Sequence, residues 1–262
     1  MTYFEFLQRF VFIPILIMLA ITIWDEHHNR ELVGFQKKTI LANILALVVL
    51  ALIYTTPWDN YLVATGVWSY NPQLVSGIFF GWVPLEEYTF FVVETILSAL
   101  WWLILARRIK VITKFQPDKK LVLISSGLLV IAWLIFTTLL FSSWKPGTYL
   151  SIILFWALPA IMPQLLFGAD ILWHHRKLLL WTILPVGLYL SMSDIIALRA
   201  TTWSISTAQT IGVRFFGILP LEEVLFFLIT NGLIGFGMTL MLSDLGQKRL
   251  ANWRARGFKG LP

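Results

Sequence analysis

The stretch Gly81-Trp82-Val83-Pro84-Leu85-Glu86-Glu87-Tyr88-Thr89-Phe90-Phe91 recurs as Gly217-Ile218-Leu219-Pro220-Leu221-Glu222-Glu223-Val224-Leu225-Phe226-Phe227. A doubled Gly-x-x-Pro-Leu-Glu-Glu-x-x-Phe-Phe signals an internal repeat. Upstream of each copy the agreement continues: Asp59, Trp68, Phe79 and Phe80 are matched by Asp194, Trp203, Phe215 and Phe216, at an offset of 135 that becomes 136 after one inserted residue. Farther back, Trp24, His27 and His28 loosely echo Trp173, His174 and His175.

Each copy opens a long apolar run, and the composition says what solvent those runs meet. Of the 262 residues, 58% are hydrophobic and 13% charged, where soluble domains carry about 25% charged residues. The mean hydropathy is +0.78. A hydrocarbon layer of about 30 Å takes roughly 20 helical residues to cross. Seven runs meet that length, near 4–24, 39–56, 84–106, 121–141, 149–169, 178–197 and 216–241. The reading is an all-α, polytopic transmembrane helical bundle of about seven spans. No small-residue cleavage site follows the first run, so it reads as a retained span.

The repeat assigns the spans. The first unit covers 1–110 with spans 1 to 3, span 4 links over 111–148, the second unit covers 149–243 with spans 5 to 7, and 244–262 is a basic tail. Four spans separate the starts of the two units, so both enter the membrane from one side and the repeat is parallel. Orientation follows from the basic residues, which favour the cytoplasm. Sixteen of the 20 Lys and Arg fall on one side: Arg30, Lys37, Lys38, Arg107, Arg108, Lys110, Lys114, Lys119, Lys120, Arg176, Lys177, Lys248, Arg249, Arg254, Arg256 and Lys259. Arg9, Lys145, Arg199 and Arg214 are opposite. The N-terminus is thus expected outside and the C-terminus inside, with outer loops at 57–77, 142–148 and 198–215.

The net charge of +6 is accounted for by these span-end clusters, so no nucleic-acid partner is expected. There is no cysteine, which excludes disulfides, thiolate metal sites and cysteine nucleophiles. The His27-His28 and His174-His175 pairs sit among the cytoplasmic charges, away from the glutamates, and adjacent histidines on a helix point about 100° apart. No metal site is expected. No Gly-x-Gly-x-x-Gly or Walker sequence occurs, and seven spans without a lysine in the last exclude a retinal Schiff base.

The chemistry is expected at the doubled motif. Proline suits a helix start, which puts Glu86 and Glu87, and Glu222 and Glu223, in a first turn near the positive end of the helix dipole. Acids within a membrane usually mark function. Capping at the interface explains one acid per helix but not adjacent pairs in both units. Glu87, Phe90, Phe91 and Glu94 share one helical face, as do Glu223, Phe226, Phe227 and Thr230. Aromatic faces stabilise cations, though such rings also simply pack between helices. Asp59 and Asp194 are expected at or just beyond the outer ends of spans 2 and 6, as auxiliaries or as solvated loop residues. Trp58, Trp68, Tyr70 and Trp203 fit the interfacial aromatic belt.

Pro57-Trp58-Asp59-Asn60, Gly66-Val67-Trp68-Ser69-Tyr70 and the doubled Pro-Leu-Glu-Glu with Phe-Phe resemble the integral-membrane lycopene cyclases, in their fused, single-chain bacterial form. The second unit departs from the first, with Ser193-Asp194 for Trp58-Asp59 and Thr201-Thr202-Trp203-Ser204-Ile205 for Gly66 to Tyr70. The resemblance implies conversion of the linear ends of lycopene, or a related carotenoid, to β-ionone rings without a cofactor. It implies Glu86, Glu87, Glu222 and Glu223 as the acid/base group, with Asp59 and Asp194 as auxiliaries. Phe90, Phe91, Phe226, Phe227 and Glu94 would line the substrate. The other readings are a membrane transporter or proton-coupled carrier, and another polyene- or prenyl-modifying enzyme. The expected setting is a bacterial inner membrane, and homo-oligomers are left open.

Overall fold

A computed structural model describes residues 1–110, 114–142 and 144–255. Arg256 and Lys259 of the basic set lie outside the described residues. Among the described residues, seven helices are long and apolar enough to cross a membrane: α1 (Tyr3–His27), α2 (Ile40–Ala64), α3 (Leu85–Ala106), α4 (Lys119–Leu140), α5 (Thr148–His174), α6 (Arg176–Arg199) and α7 (Leu221–Leu242). A last helix, α8 (Asp244–Ala255), follows. The protein is a multi-pass integral membrane protein.

Helices α3 and α7, which carry the doubled motif, are the most enclosed of the seven. Helix α3 packs on α1, α2, α6 and α7, while α7 packs on α2, α3, α5 and α6. Down this seam polar groups pair across the two helices: Thr230 Oγ1 donates to Glu94 Oε1 (2.8 Å), Ser98 Oγ to Asn231 Oδ1 (2.5 Å) and Trp102 Nε1 to Thr239 Oγ1 (2.9 Å). Lipid supplies no hydrogen bonds, so buried polar side chains pair between helices. Helix α4, the span outside the repeat, packs along α5. Its Leu123, Ile124, Leu128, Ile131, Leu134 and Ile135 stay exposed, as a lipid-facing surface requires.

Expected boundaries shift by several residues, as where span 5 runs past 169 to His174 and span 7 starts at Leu221 and not 216. The largest shift is in span 2, expected to end near residue 56 with 57–77 as loop; α2 instead continues to Ala64. Pro57 removes one backbone donor, but here the helix is held on its far side. Trp58 Nε1 donates to the Ile152 carbonyl (3.2 Å) and Trp58 stacks on Trp156, with centroids 4.5 Å apart. Asp59 is therefore inside the helix and fully buried, as is its mate Asp194 within α6. Neither is a solvated loop residue.

Three short strand pairs, absent from the sequence reading, build the end of the bundle where α3 and α7 begin. Phe79–Phe80 (β2) pairs with Val83–Pro84 (β3), and Arg214–Phe215 (β5) with Leu219–Pro220 (β6). Each hairpin feeds a motif helix, and Pro84 and Pro220 are the extended cap residues rather than the first helical ones. Gly81 turns the first hairpin at φ +71°, and a side chain there would run into Asn60, whose Oδ1 accepts the Trp82 N–H at 2.7 Å. Between the two units, Trp68–Tyr70 (β1) pairs antiparallel with Trp203–Ile205 (β4), and Ser69 lies opposite its own repeat mate, Ser204. Their hydroxyls are 2.8 Å apart. A strand paired antiparallel with its own copy about a self-matched residue marks a local two-fold axis between the two units.

The opposite end is clasped by ion pairs. Arg108 grips Asp25 with both nitrogens (2.6 and 2.9 Å), Arg107 reaches Glu26 (2.9 Å), and Arg249 of α8 grips Asp170 of α5 (2.7 and 2.7 Å). Both histidine pairs lie at this basic end, remote from the motif glutamates. Burial pushes His175 below the usual histidine range.

Candidate active site

The two glutamates of each pair part company. Glu86 turns towards the loop, where both its oxygens are engaged by Ser76, through the backbone N–H (2.5 Å) and Oγ (3.0 Å). Glu222 does the same with the N–H of Ile211 at 2.7 Å. Ser76 and Ile211 occupy matching repeat positions, so the first acid of each pair ties the preceding loop to its helix start. Glu87 and Glu223, one residue on and about 100° round the helix, point inward instead.

Both inward acids line one small cavity, together with Tyr3, Phe6, Trp68, Tyr70, Phe90, Leu190, Asp194, Trp203, Phe226 and Phe227. Its volume is about 30 Å³, room for about two water molecules. Tyr3 and Tyr70 both donate to Glu87 Oε2, at 2.5 and 3.0 Å. Tyr149 and Trp68 both donate to Glu223 Oε1, at 2.6 and 3.2 Å. Each carboxyl thus has one oxygen held by two donors, while Glu87 Oε1 and Glu223 Oε2 accept no hydrogen bond among the described residues. Burial, followed by the nearby carboxyls of Asp59 and Glu87, drives the Tyr70 phenol well above its ordinary value, so it remains a donor. No Lys, Arg or His lines the cavity.

The aspartates separate likewise. Asp194 lines the cavity and accepts from Trp203 Nε1 at 2.8 Å. Asp59 lines neither described cavity, and both its oxygens are enclosed without a partner among the described residues. The phenylalanines divide too. Phe90 and Phe227 face the acids, whereas Phe91 and Glu94 line a second, larger cavity of about 450 Å³ between α2, α3, α5 and α7. Phe226 lines both. It stacks on Trp58, with centroids 5.5 Å apart, and meets Trp68 edge-on at 5.9 Å.

Sequence reasoning placed the acids but missed their donors. Tyr3 and Tyr149 stand near the starts of the corresponding helices α1 and α5, a match hidden because their spacing differs from the 135 of the motif region. Trp68, Tyr70 and Trp203 were read as an interfacial belt, the ordinary role of such residues. They lie instead on β1 and β4, whose pairing folds them over the helix starts.

The model of one protein family, described as lycopene cyclase, matches residues 7–98 and 146–241. The chain belongs to the lycopene cyclase family. The match falls in two stretches, which leave out the whole of α4 and carry one Pro-Leu-Glu-Glu motif each. Among relatives, the lycopene beta-cyclase of Halobacterium salinarum is 34% identical over 81% of this chain and 85% of its own length. Bifunctional lycopene cyclase/phytoene synthases of Podospora anserina (33% identical) and Gibberella fujikuroi (36%) each match 74% of this chain. Those matches span 34% of the fungal proteins, about a third of their length. No solved structure matches the chain.

Proposed function

We propose that this protein closes the linear ends of lycopene into β-ionone rings, with Glu87 and Glu223 as the proton-transferring pair. The observation carrying this reading is that one carboxyl from each half faces a single aromatic cavity, each with one oxygen left free. The reaction is an isomerisation. One carboxylic acid protonates C2 of the terminal alkene and leaves a cation at C1. The C5–C6 π electrons then form the C1–C6 bond and move the cation to C5. The other glutamate, as carboxylate, removes the C6 proton, and the C5–C6 double bond returns.

The surroundings suit these steps. Two donors fix each carboxyl on one oxygen, so the other is presented in a set direction. Phe90, Phe226, Phe227 and Trp203 turn ring faces and edges towards the cation without offering a nucleophile. Excluding bulk water prevents capture of the cation. After one turnover the proton has passed from one glutamate to the other, and a single water in the cavity suffices to return it. Glu86 and Glu222 act here as anchors, Asp194 as an auxiliary beside the pair, and Asp59 as a buried neighbour outside it. The basic end is cytoplasmic, which sets the acids near the opposite leaflet of a bacterial inner membrane.

A second reading has one observation in its favour. Glu94 lines the larger cavity, and an acid there would meet a bulky end group without rearrangement. Pigment chromatography after expression in bacteria accumulating lycopene tests both readings. Conversion to γ- or β-carotene establishes the cyclase, and unchanged lycopene with protein present in the membrane overturns it. Loss of conversion in Glu87→Gln and Glu223→Gln, with Glu94→Gln active, selects the first reading, and the converse selects the second.

A further inference from the structure

The acid-lined cavity, at about 30 Å³, has no room for a chain of tens of carbons, and the larger cavity has no assigned occupant. That larger space, about 450 Å³, runs alongside α7 from Phe226 to Ile234. Ile234 is eleven residues beyond Glu223, about 16 Å deeper at the helical rise. The walls are apolar and partly aromatic, with Tyr54, Phe91, Trp156 and Phe226 among them. Glu94 and Thr95 also line it, but Glu94 Oε1 accepts from Thr230 and Thr95 Oγ1 donates to the Phe91 carbonyl.

Two features connect this space, one to the reaction and one to the bilayer. Phe226 is the shared wall, lining both this space and the cavity holding Glu87 and Glu223. On the other side, Leu50 is 60% exposed and Tyr54 40% exposed, and Pro163 is exposed as well, so the groove opens sideways between α2 and α5. The two helices are tied above it, where Tyr54 Oη donates to the Trp156 carbonyl (2.8 Å) and Trp156 Nε1 to the Tyr54 carbonyl (3.3 Å).

Resting on the cyclase reading, we infer that this groove is the binding site for the conjugated hydrocarbon chain of the substrate, which enters laterally from the lipid while its end group passes Phe226 to the glutamates. A conjugated hydrocarbon chain matches a groove with apolar and aromatic walls, and its far end can remain in the membrane through the side opening. Occupancy and chemistry are then separable, because the groove holds the chain while Glu87 and Glu223 act only on the end group that is brought past Phe226.

Kinetics with lycopene in phosphatidylcholine vesicles tests this. Ala51→Phe on α2 and Ala160→Phe on α5 each fill the groove from a different wall without touching the acids. Each is expected to raise KM for lycopene about tenfold with much less change in kcat. Leu128→Phe, on the lipid-facing side of α4, is the control and leaves both constants as in the parent. Should the phenylalanine variants fail to accumulate in the membrane, Ala160→Leu carries the same comparison with less added bulk. Gln164, whose amide oxygen is buried without a partner among the described residues, gives the complementary test. Its change to Leu is expected to lower KM several-fold for a hydrocarbon occupant, and a rise in KM would mean that the occupant is polar. A parent that cyclises lycopene while Ala51→Phe and Ala160→Phe keep its KM overturns the groove alone and leaves it to lipid acyl chains. A parent that does not cyclise lycopene overturns the reading on which the groove rests.

Discussion

Glu87 and Glu223 are held alike and furnished differently. Each is the second acid of a repeated motif, and each gives one oxygen to two donors, one of them a tyrosine from the start of a corresponding helix, Tyr3 or Tyr149. The other donor breaks the symmetry. Glu87 takes a phenol from Tyr70, whose repeat mate Ile205 has no hydrogen to give. Glu223 takes the weaker indole of Trp68, which reaches across from the first unit, while the mate Trp203 turns to Asp194. Asp194 lines the cavity and Asp59 does not. Duplication supplied a symmetric frame, and the difference between the two acids lies in their neighbours.

The sharpest trial of that contrast is the removal of each acid. Glu87→Gln and Glu223→Gln are each expected to lower conversion by at least about 100-fold. If the two act as one unit, the double variant is little worse than the worse single one. Pigment yield at matched membrane content checks this, and a fully active single variant would remove that residue from the pair. Next in size are the donors. Tyr3→Phe and Tyr149→Phe each leave a carboxyl oxygen with one donor fewer and are expected to cost about tenfold in kcat, since a hydrogen bond to a charged group is worth about 1.5–3 kcal/mol. Trp68→Phe, which removes a longer bond from a neutral donor, is expected to cost only about threefold.

The aspartates give a smaller contrast. Asp194→Asn is expected to reduce turnover several-fold, and Asp59→Asn to change it less than twofold, because only the former faces the reacting groups. Equal losses would show that the two aspartates act equivalently despite their different placement. The least effect on chemistry is expected at the anchors. Glu86→Ala frees two loop donors and Glu222→Ala one, so both lower thermal stability in detergent, the first by more, at about 1–3 kcal/mol per donor left unpaired. Activity per folded molecule stays within about threefold of the parent.

Much of this was legible from residues alone, for identifiable reasons. Length and hydropathy determine a span because the thickness of the hydrocarbon layer is fixed, so seven helices were countable. The doubled Pro-Leu-Glu-Glu gave the repeat, its sense in the membrane and the helix turn that carries the acids. The length of the second apolar run also put its end near residue 56, and there it failed. Trp58 is anchored on α5, at Ile152 and Trp156, and those contacts hold α2 helical through Asp59 to Ala64. A periodicity cannot register a partner that lies about ninety residues away in the chain.

The same limit governs the site. Spacing put Glu86 beside Glu87 and gave them one role; which of the two faces the cavity depends on the loop that Ser76 brings back to the helix start. Tyr3 comes from α1, Trp68 and Tyr70 from β1 and Tyr149 from α5, and nothing in their local sequence marks them as donors to a carboxyl. The chain's composition and repeat therefore determine the bundle, its spans and the level at which the acids enter the membrane, since these depend on solvent and on helical geometry. Which acids meet, and what each receives from its neighbours, arises only when β1 crosses to β4 and α3 packs against α7, because hydrogen bonds and cavities are made between segments and not within them.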